Sequence, residues 1–125
     1  MSKVDVSFSV SWDTVKGVLL NDEVQVSSCE VFCSDSYMSI IRWNTVKDCQ
    51  RMGFGSDLLR RTLRHCVDVY GKPERIYYEW DKVNQYVMDW LVRVFGAEHQ
   101  SYEIYALDVD KVLEFVCRRI KDVAN

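Results

Sequence analysis

A chain of 125 residues, 48% apolar and 13% aromatic, can fill one hydrophobic core and is short for two. Its net charge of −3, from 16 basic and 19 acidic residues, argues against a protein that coats nucleic acid by bulk charge. No apolar run approaches the roughly 18 residues of a membrane helix, and Met1 to Asp5 begin no signal-peptide core, so a soluble, cytoplasmic protein with no membrane partner is expected.

Val4, Val6, Phe8 and Val10 alternate with polar residues, which predicts a half-buried first strand. Ser11 is placed to cap a short helix in which Trp12, Val15, Val18 and Leu19 recur at helical spacing, ending at Asn21-Asp22. Val24 and Val26 open a second strand, and Cys29, Val31 and Cys33 continue it on the other parity, so a bulge is expected near Ser27-Ser28. Ser34-Asp35-Ser36 reads as a turn and Tyr37 to Thr45 as the returning strand of a hairpin. After Gly55, the positions Leu59, Leu63, Cys66, Val67 and Tyr70 form one buried helical stripe. Arg60, Arg61, Arg64 and Asp68 fall outside it, and Gly71 with Pro73 ends the helix.

Ile76 to Trp80 predicts a further strand. A helix capped by Asp81 or Asn84 follows, with Val83, Val87, Trp90, Leu91, Val94 and Phe95 inward and Gly96 closing it. Tyr102 to Leu107 reads as a last strand, and Asp108 or Asp110 caps a terminal helix reaching Val123. The order implies an α/β chain of the α+β kind: a mixed sheet, antiparallel in its first half, with a βαβ crossover over Ile40–Trp80. The whole of residues 1–125 is expected to form one domain.

The five cysteines, Cys29, Cys33, Cys49, Cys66 and Cys117, lie in apolar segments, as expected of reduced, mostly buried thiols. With two histidines, His65 and His99, and no Cys-x-x-Cys pair, no metal site is expected. The basic clusters Arg60-Arg61-Arg64-His65 and Arg118-Arg119-Lys121 read as solvated helix faces, so no nucleic-acid partner is indicated. The tryptophans Trp12, Trp43, Trp80 and Trp90 default to the core.

The chemistry-bearing stretch is Gln50-Arg51-Met52-Gly53-Phe54-Gly55, between a strand and a helix. Two glycines there let backbone N–H groups approach an anion, and the helix N-terminus adds roughly half a positive charge. A P-loop needs Gly-Lys-Ser/Thr, and Ser56-Asp57 follows instead; a dinucleotide fingerprint needs a third small residue, and position 58 is Leu. Gln50-x-x-Gly53-x-Gly55 resembles the acyl-CoA signature of the GNAT superfamily of N-acyltransferases. The likeness continues through Ile76-x-Tyr78-x-Trp80-x-x-x-Asn84 and Phe95-Gly96-Ala97, covering about Met38 to Leu107.

The resemblance implies a GNAT-like fold and an acetyl-CoA-dependent acyl transfer to an amine of a protein or small molecule, with no metal. Gln50, Arg51, Met52, Gly53, Phe54, Gly55 and Ser56 would cradle the CoA pyrophosphate, chiefly through backbone N–H groups. Thr45 and Val46 would hold the pantetheine arm by main-chain bonds, and Asn84 would bond it or cap its helix. Arg51 adds charge to a phosphate or is simply solvated.

Transfer to an amine requires removing a proton from an ammonium of pKa ~10.4, roughly 4 kcal/mol at neutral pH. Glu79 and Asp81 flank Trp80, and Glu79 is the preferred base. Relatives often place an acidic tyrosine on the Asn-headed helix; counting back from Gly96 gives Val92 and forward from Asn84 gives Leu91, neither a proton donor. Tyr86, Tyr102 or Tyr105 remain as substitutes, as does water. Residues 1–37 are also short for the two helices and extra strand usual there. The alternative is a non-catalytic GNAT-like module that binds CoA or a protein partner. The terminal helix would either join a homo-oligomer or pack on its own sheet.

Overall fold

A computed structural model describes residues 3–46, 53–79 and 85–118. Their strands are β1 (Val4–Ser11), β2 (Thr14–Asn21), β3 (Val24–Cys33), β4 (Tyr37–Thr45), β5 (Arg75–Glu79), β6 (Glu98–Ser101) and β7 (Ile104–Leu107). The helices are α1 (Phe54–Tyr70), α2 (Gln85–Phe95) and α3 (Val109–Cys117). One sheet runs in the order β1-β2-β3-β4-β5-β7-β6. Its first four strands are antiparallel, β4 and β5 are parallel across α1, and β7 returns antiparallel between β5 and β6.

The expected first helix is absent. Residues 11–21 instead make the turn of the β1–β2 hairpin and all of β2. Val15 and Leu19, four apart, satisfy a helical and a strand period equally. Thr14, Val15, Gly17 and Val18 are poor helix formers, and pairing on both sides decides the matter. Trp12, expected in the core, sits at the hairpin tip with φ 57° and is 94% exposed. The next turn, Asp22-Glu23, has both residues at positive φ, as a tight hairpin turn demands.

The expected parity change in β3 is present one residue early. Register slips between Leu19↔Ser27 and Leu20↔Gln25, leaving Val26 as the extra residue, and both Val26 and Ser27 are buried. A second irregularity, not expected, falls in β4. Val31 pairs with Ile40 and Glu30 with Arg42, so Ile41 is the extra residue. Met38 and Ile40 point into the core before it, while Trp43 joins the core after it.

α1, α2 and α3 lie on one face of the sheet. Phe95 and Trp90 of α2 meet Phe115 of α3 at ring-centroid distances of 5.1 and 5.8 Å, and Trp90 meets Trp43 of β4 at 5.3 Å. Leu58, Leu59, Leu63 and Cys66 of α1 are buried with Val15, Leu19, Cys29 and Val31. Tyr70, expected on this stripe, is 40% exposed. α2 buries Met88, Leu91 and Phe95, with Val87, Trp90 and Val94 half-buried; Val83 lies outside the described residues. Gly71 (φ 86°) and Gly96 (φ 62°) close α1 and α2 where expected. Asp108, not Asp110, caps α3 by accepting from Lys111 N–H at 3.1 Å. Its described part is buried against α1 and α2 of its own chain.

Two expectations about charge and strand fail for one physical reason: partners override local pattern. Arg60 is not solvated. It is buried, bonds Asp57 at 3.1 Å, donates from Nε to the Phe115 carbonyl at 3.1 Å and lies over the Phe115 ring at 4.4 Å. Arg64 likewise donates to the Val116 carbonyl at 2.6 Å. The expected single strand from Tyr102 is a hairpin, with Tyr102 in its turn at φ 49° and β6 added as an all-exposed edge strand. No periodicity marks Glu98-His99-Gln100-Ser101, and pairing with β7 alone makes it a strand.

Candidate active site

The glycine turn lies where β4 ends and α1 begins. Gly53 takes φ 90°, a left-handed conformation that suits glycine, and stands as the N-cap of α1. The first intrahelical bond runs from Asp57 N–H to the Gly53 carbonyl at 3.0 Å. The N–H groups of Phe54, Gly55 and Ser56 therefore have no acceptor within the helix. The Ser56 hydroxyl donates to the Gly53 carbonyl at 3.3 Å, and the Phe54 side chain is buried in the core, so only its main chain faces the turn.

β4 braces this turn. Trp43 Nε1–H donates to the Gly55 carbonyl at 2.9 Å, and the Thr45 hydroxyl is 3.0 Å from that of Ser27, which in turn donates to the Asn44 carbonyl at 2.8 Å. A β-carbon on Gly55 would lie 2.6 Å from Thr45 Oγ1. The requirement for glycine at 55 thus comes from close contact between helix and strand, in addition to any ligand's approach. The shift at Ile41 makes this contact available, since without the extra residue Arg42 and Asn44 would face the helix in place of Trp43 and Thr45.

The same irregularity marks a change in the sheet. The described β4–β5 pairing runs from Tyr37↔Arg75 to Ile40↔Tyr78, whereas β4 continues on β3 through Ser27↔Thr45. From Ile41 to Thr45, β4 has a strand partner on one side only among the described residues. Val46 extends it, its N–H donating to the Val26 carbonyl at 2.9 Å. Glu79 ends β5 one residue past the Ile40↔Tyr78 pair, short of Thr45, is paired with Ile104 of β7 and is exposed.

The electrostatics behind the turn are unusual for an anion site. Asp57, in the first turn of α1, is a buried carboxylate. Arg60 neutralises it, and Arg61 Nε sits 3.3 Å from its other oxygen, at ion-pair distance but without hydrogen-bond alignment. Burial pushes the Arg60 guanidinium below its ordinary pKa, while Asp57 opposes that shift. The carboxylate is therefore directed to the arginines of its own helix.

Of the expected site residues, Thr45, Val46, Gly53, Phe54, Gly55 and Ser56 are brought together at one end of the sheet, and Glu79 ends the neighbouring strand short of Thr45. Gln50, Arg51, Met52 and Asn84 lie outside the described residues, as does Asp81. Leu91 is buried and Val92 is 51% exposed; Tyr102 is 94% exposed at its hairpin tip. Trp43 and Ser27, not among the expected residues, brace the same turn. Trp43 shares the parity of Thr45, two residues on, which is the signal that would have found it.

No family model matches the chain, and no curated protein matches it. Solved structures do. An aminoglycoside acetyltransferase from an uncultured soil metagenomic sample, in complex with trehalose, aligns with TM-score 0.61 at 18% identity, over 74% of this chain and 64% of that one. The PaiA N-acetyltransferase of Thermoplasma acidophilum, in complex with coenzyme A, gives 0.64 at 10% identity, over 76% and 59%. A GNAT-family protein from Desulfovibrio desulfuricans gives 0.61 at 16% identity, over 78% and 70%. The chain therefore has the GNAT acetyltransferase fold. It spans less than two thirds of the length of the first two of these structures.

Proposed function

We propose that this chain binds acetyl-CoA at the α1 N-terminus and the end of β4, and transfers the acetyl group to an amine. The observation that carries the reading is the Gly53-capped turn held against β4 by Trp43, where β4 runs on past its described pairing with β5. The residues suit the group: three first-turn N–H groups lack helical acceptors, and a conformationally permissive glycine precedes them. The backbone of β4 from Ile41 to Val46 offers main-chain groups to the amides of a pantetheine arm. Gln50, Arg51, Met52 and Asn84 complete the binding set in this proposal.

Acetyl-CoA supplies an acyl group activated as a thioester. The amine nitrogen forms the new C–N bond as the C–S bond breaks. Glu79 takes the proton the ammonium must lose, directly or through one water, and solvent returns a proton to the departing thiolate. No side chain at Leu91 or Val92 can do the latter, and this favours one second reading, a module that binds CoA without turnover.

A thermal-shift titration with acetyl-CoA tests the reading. At 100 times its Kd a ligand adds about 2.7 kcal/mol of stability, a rise in Tm on the order of 10 °C for a domain of this size. Absence of any shift at millimolar acetyl-CoA would rule out both readings. A shift with no thiol release across a panel of amines would leave the binding module.

A further inference from the structure

Across the sheet from the helices lies a cavity of about 720 Å³ that the glycine turn does not touch. That volume is within the range of small-molecule sites. Its walls come from strands and turns: Phe32 of β3, Tyr37 and Ile41 of β4, Tyr77 and Glu79 of β5, and Ile104 of β7. Ser39 is buried at its floor. Among the described residues no helix covers this face.

The lining has two chemical halves. Phe32, Tyr37 and Tyr77 form a row of rings, with centroids 5.9 Å apart for the first pair and 5.8 Å for the second, the second meeting edge to face. Such a row takes an apolar or aromatic body, and its ring faces attract cations. The other half is charged. Glu74, Arg75 and Glu79 contribute two negative charges against one positive. Arg75 has Glu74 next to it in the lining, and Tyr77 and Glu74 both favour its charged form, so the surplus negative charge of the lining is that of Glu79. Glu79 makes no ion pair among the described residues. An unpaired carboxylate beside an aromatic row is complementary to a cation with an apolar body, and repels an anion.

We infer that this cavity binds a primary ammonium carried on an aromatic or apolar body, the body against Phe32, Tyr37 and Tyr77 and the ammonium at Glu79. Resting on the acyl-transfer reading above, this ligand is the acceptor amine. It approaches from the face opposite the helices and presents its nitrogen at the end of the described β4–β5 pairing. The rings select amines with an apolar body over small hydrophilic ones.

Calorimetric titration of the full chain with 2-phenylethylamine, without any CoA, tests the inference. The neutral N-acetyl derivative serves as control, and Glu79→Gln and Tyr37→Ala as variants whose folding is checked by circular dichroism. Saturable binding is expected, weaker by about tenfold for the N-acetyl compound and by about tenfold for the amine with Glu79→Gln. Tyr37→Ala should weaken both ligands alike. No saturation by about 10 mM amine, equal affinity for amine and N-acetyl compound, or an unchanged Glu79→Gln would each overturn it. Acetyl-CoA titrated into the same samples separates the two claims. Amine binding without CoA binding supports the ammonium cavity and removes the transfer reading; CoA binding without amine binding removes the cavity and leaves the transfer reading standing.

Discussion

At residue 55 a single missing carbon lets α1 start against the end of β4, because a β-carbon would stand 2.6 Å from a threonine hydroxyl that is itself held by Ser27. Crowding of that kind costs about 1–3 kcal/mol when the neighbours cannot yield. Gly55→Ala should lower stability in urea denaturation by that amount, and adding Thr45→Ala should restore most of it, since the obstructing atom is then gone. If glycine were needed there only for a ligand's approach, Gly55→Ala would leave stability untouched and weaken acetyl-CoA binding alone. Trp43 fits the same account: its indole N–H donates a further bond to a first-turn carbonyl of α1 while its ring packs on Trp90.

Between elements, the decisive device is the set of arginines on α1 that hold α3. Arg60 is fixed by Asp57 on its own helix and delivers its guanidinium to the last turn of α3, where the Phe115 carbonyl accepts and the Phe115 ring stacks beneath. Arg64 does the same for Val116. Carbonyls at a helix C-terminus lack helical donors, and cations there are favourable. Removing one member of a buried ion pair leaves the other uncompensated, at a cost of about 3–5 kcal/mol. Asp57→Ala should therefore cost about that much in urea denaturation, while Asp57→Ala with Arg60→Met should cost clearly less than the sum of the two single changes. Additive losses would mean that the two side chains act independently. The Asp57-Arg60-Arg61 spacing, i to i+3 and i+4, is visible in the sequence; that it lies under α3 rather than in water is not.

Taken as a whole, the molecule buries thiols where helix meets sheet: Cys29 and Cys33 of β3 and Cys66 of α1 are all buried, while Cys117 is exposed and Cys49 lies outside the described residues. Burial, opposed in part by a hydrogen bond with Thr62, pushes the Cys29 thiol well above its ordinary range. A hydrogen bond with Cys33, reinforced by burial, raises Cys66 too, but the same bond lowers Cys33, so those two thiols act in opposite directions. A pKa raised by folding gives stability that is fully present below the unfolded value, near 8.5, and is lost as pH rises above it. The loss is roughly 1.4 kcal/mol per pH unit for an unopposed thiol such as Cys29. Denaturation at pH 8 and at pH 10 should show this decline, and Cys29→Ala should flatten it by about 2 kcal/mol. An unchanged slope in the variant would show that Cys29 does not titrate differently on folding. As to the fold, the βαβ crossover, the β3–β4 hairpin, both closing glycines and the glycine turn with its GNAT-like resemblance are legible in the amino-acid order. Each rests on local chemistry: a β-branched run, a positive-φ position or an uninterrupted helical stripe. β2, β6, the shift at Ile41 and the seating of Arg60 depend on contacts made in the folded chain. Val15 and Leu19 fit two periods, Glu98 to Ser101 fit none, and an arginine on a helix reads as solvated until the neighbour that buries it is in place. What a residue pairs with across the sheet or between helices is a property of the assembled chain, because strand pairing and burial draw their free energy from partners distant in sequence.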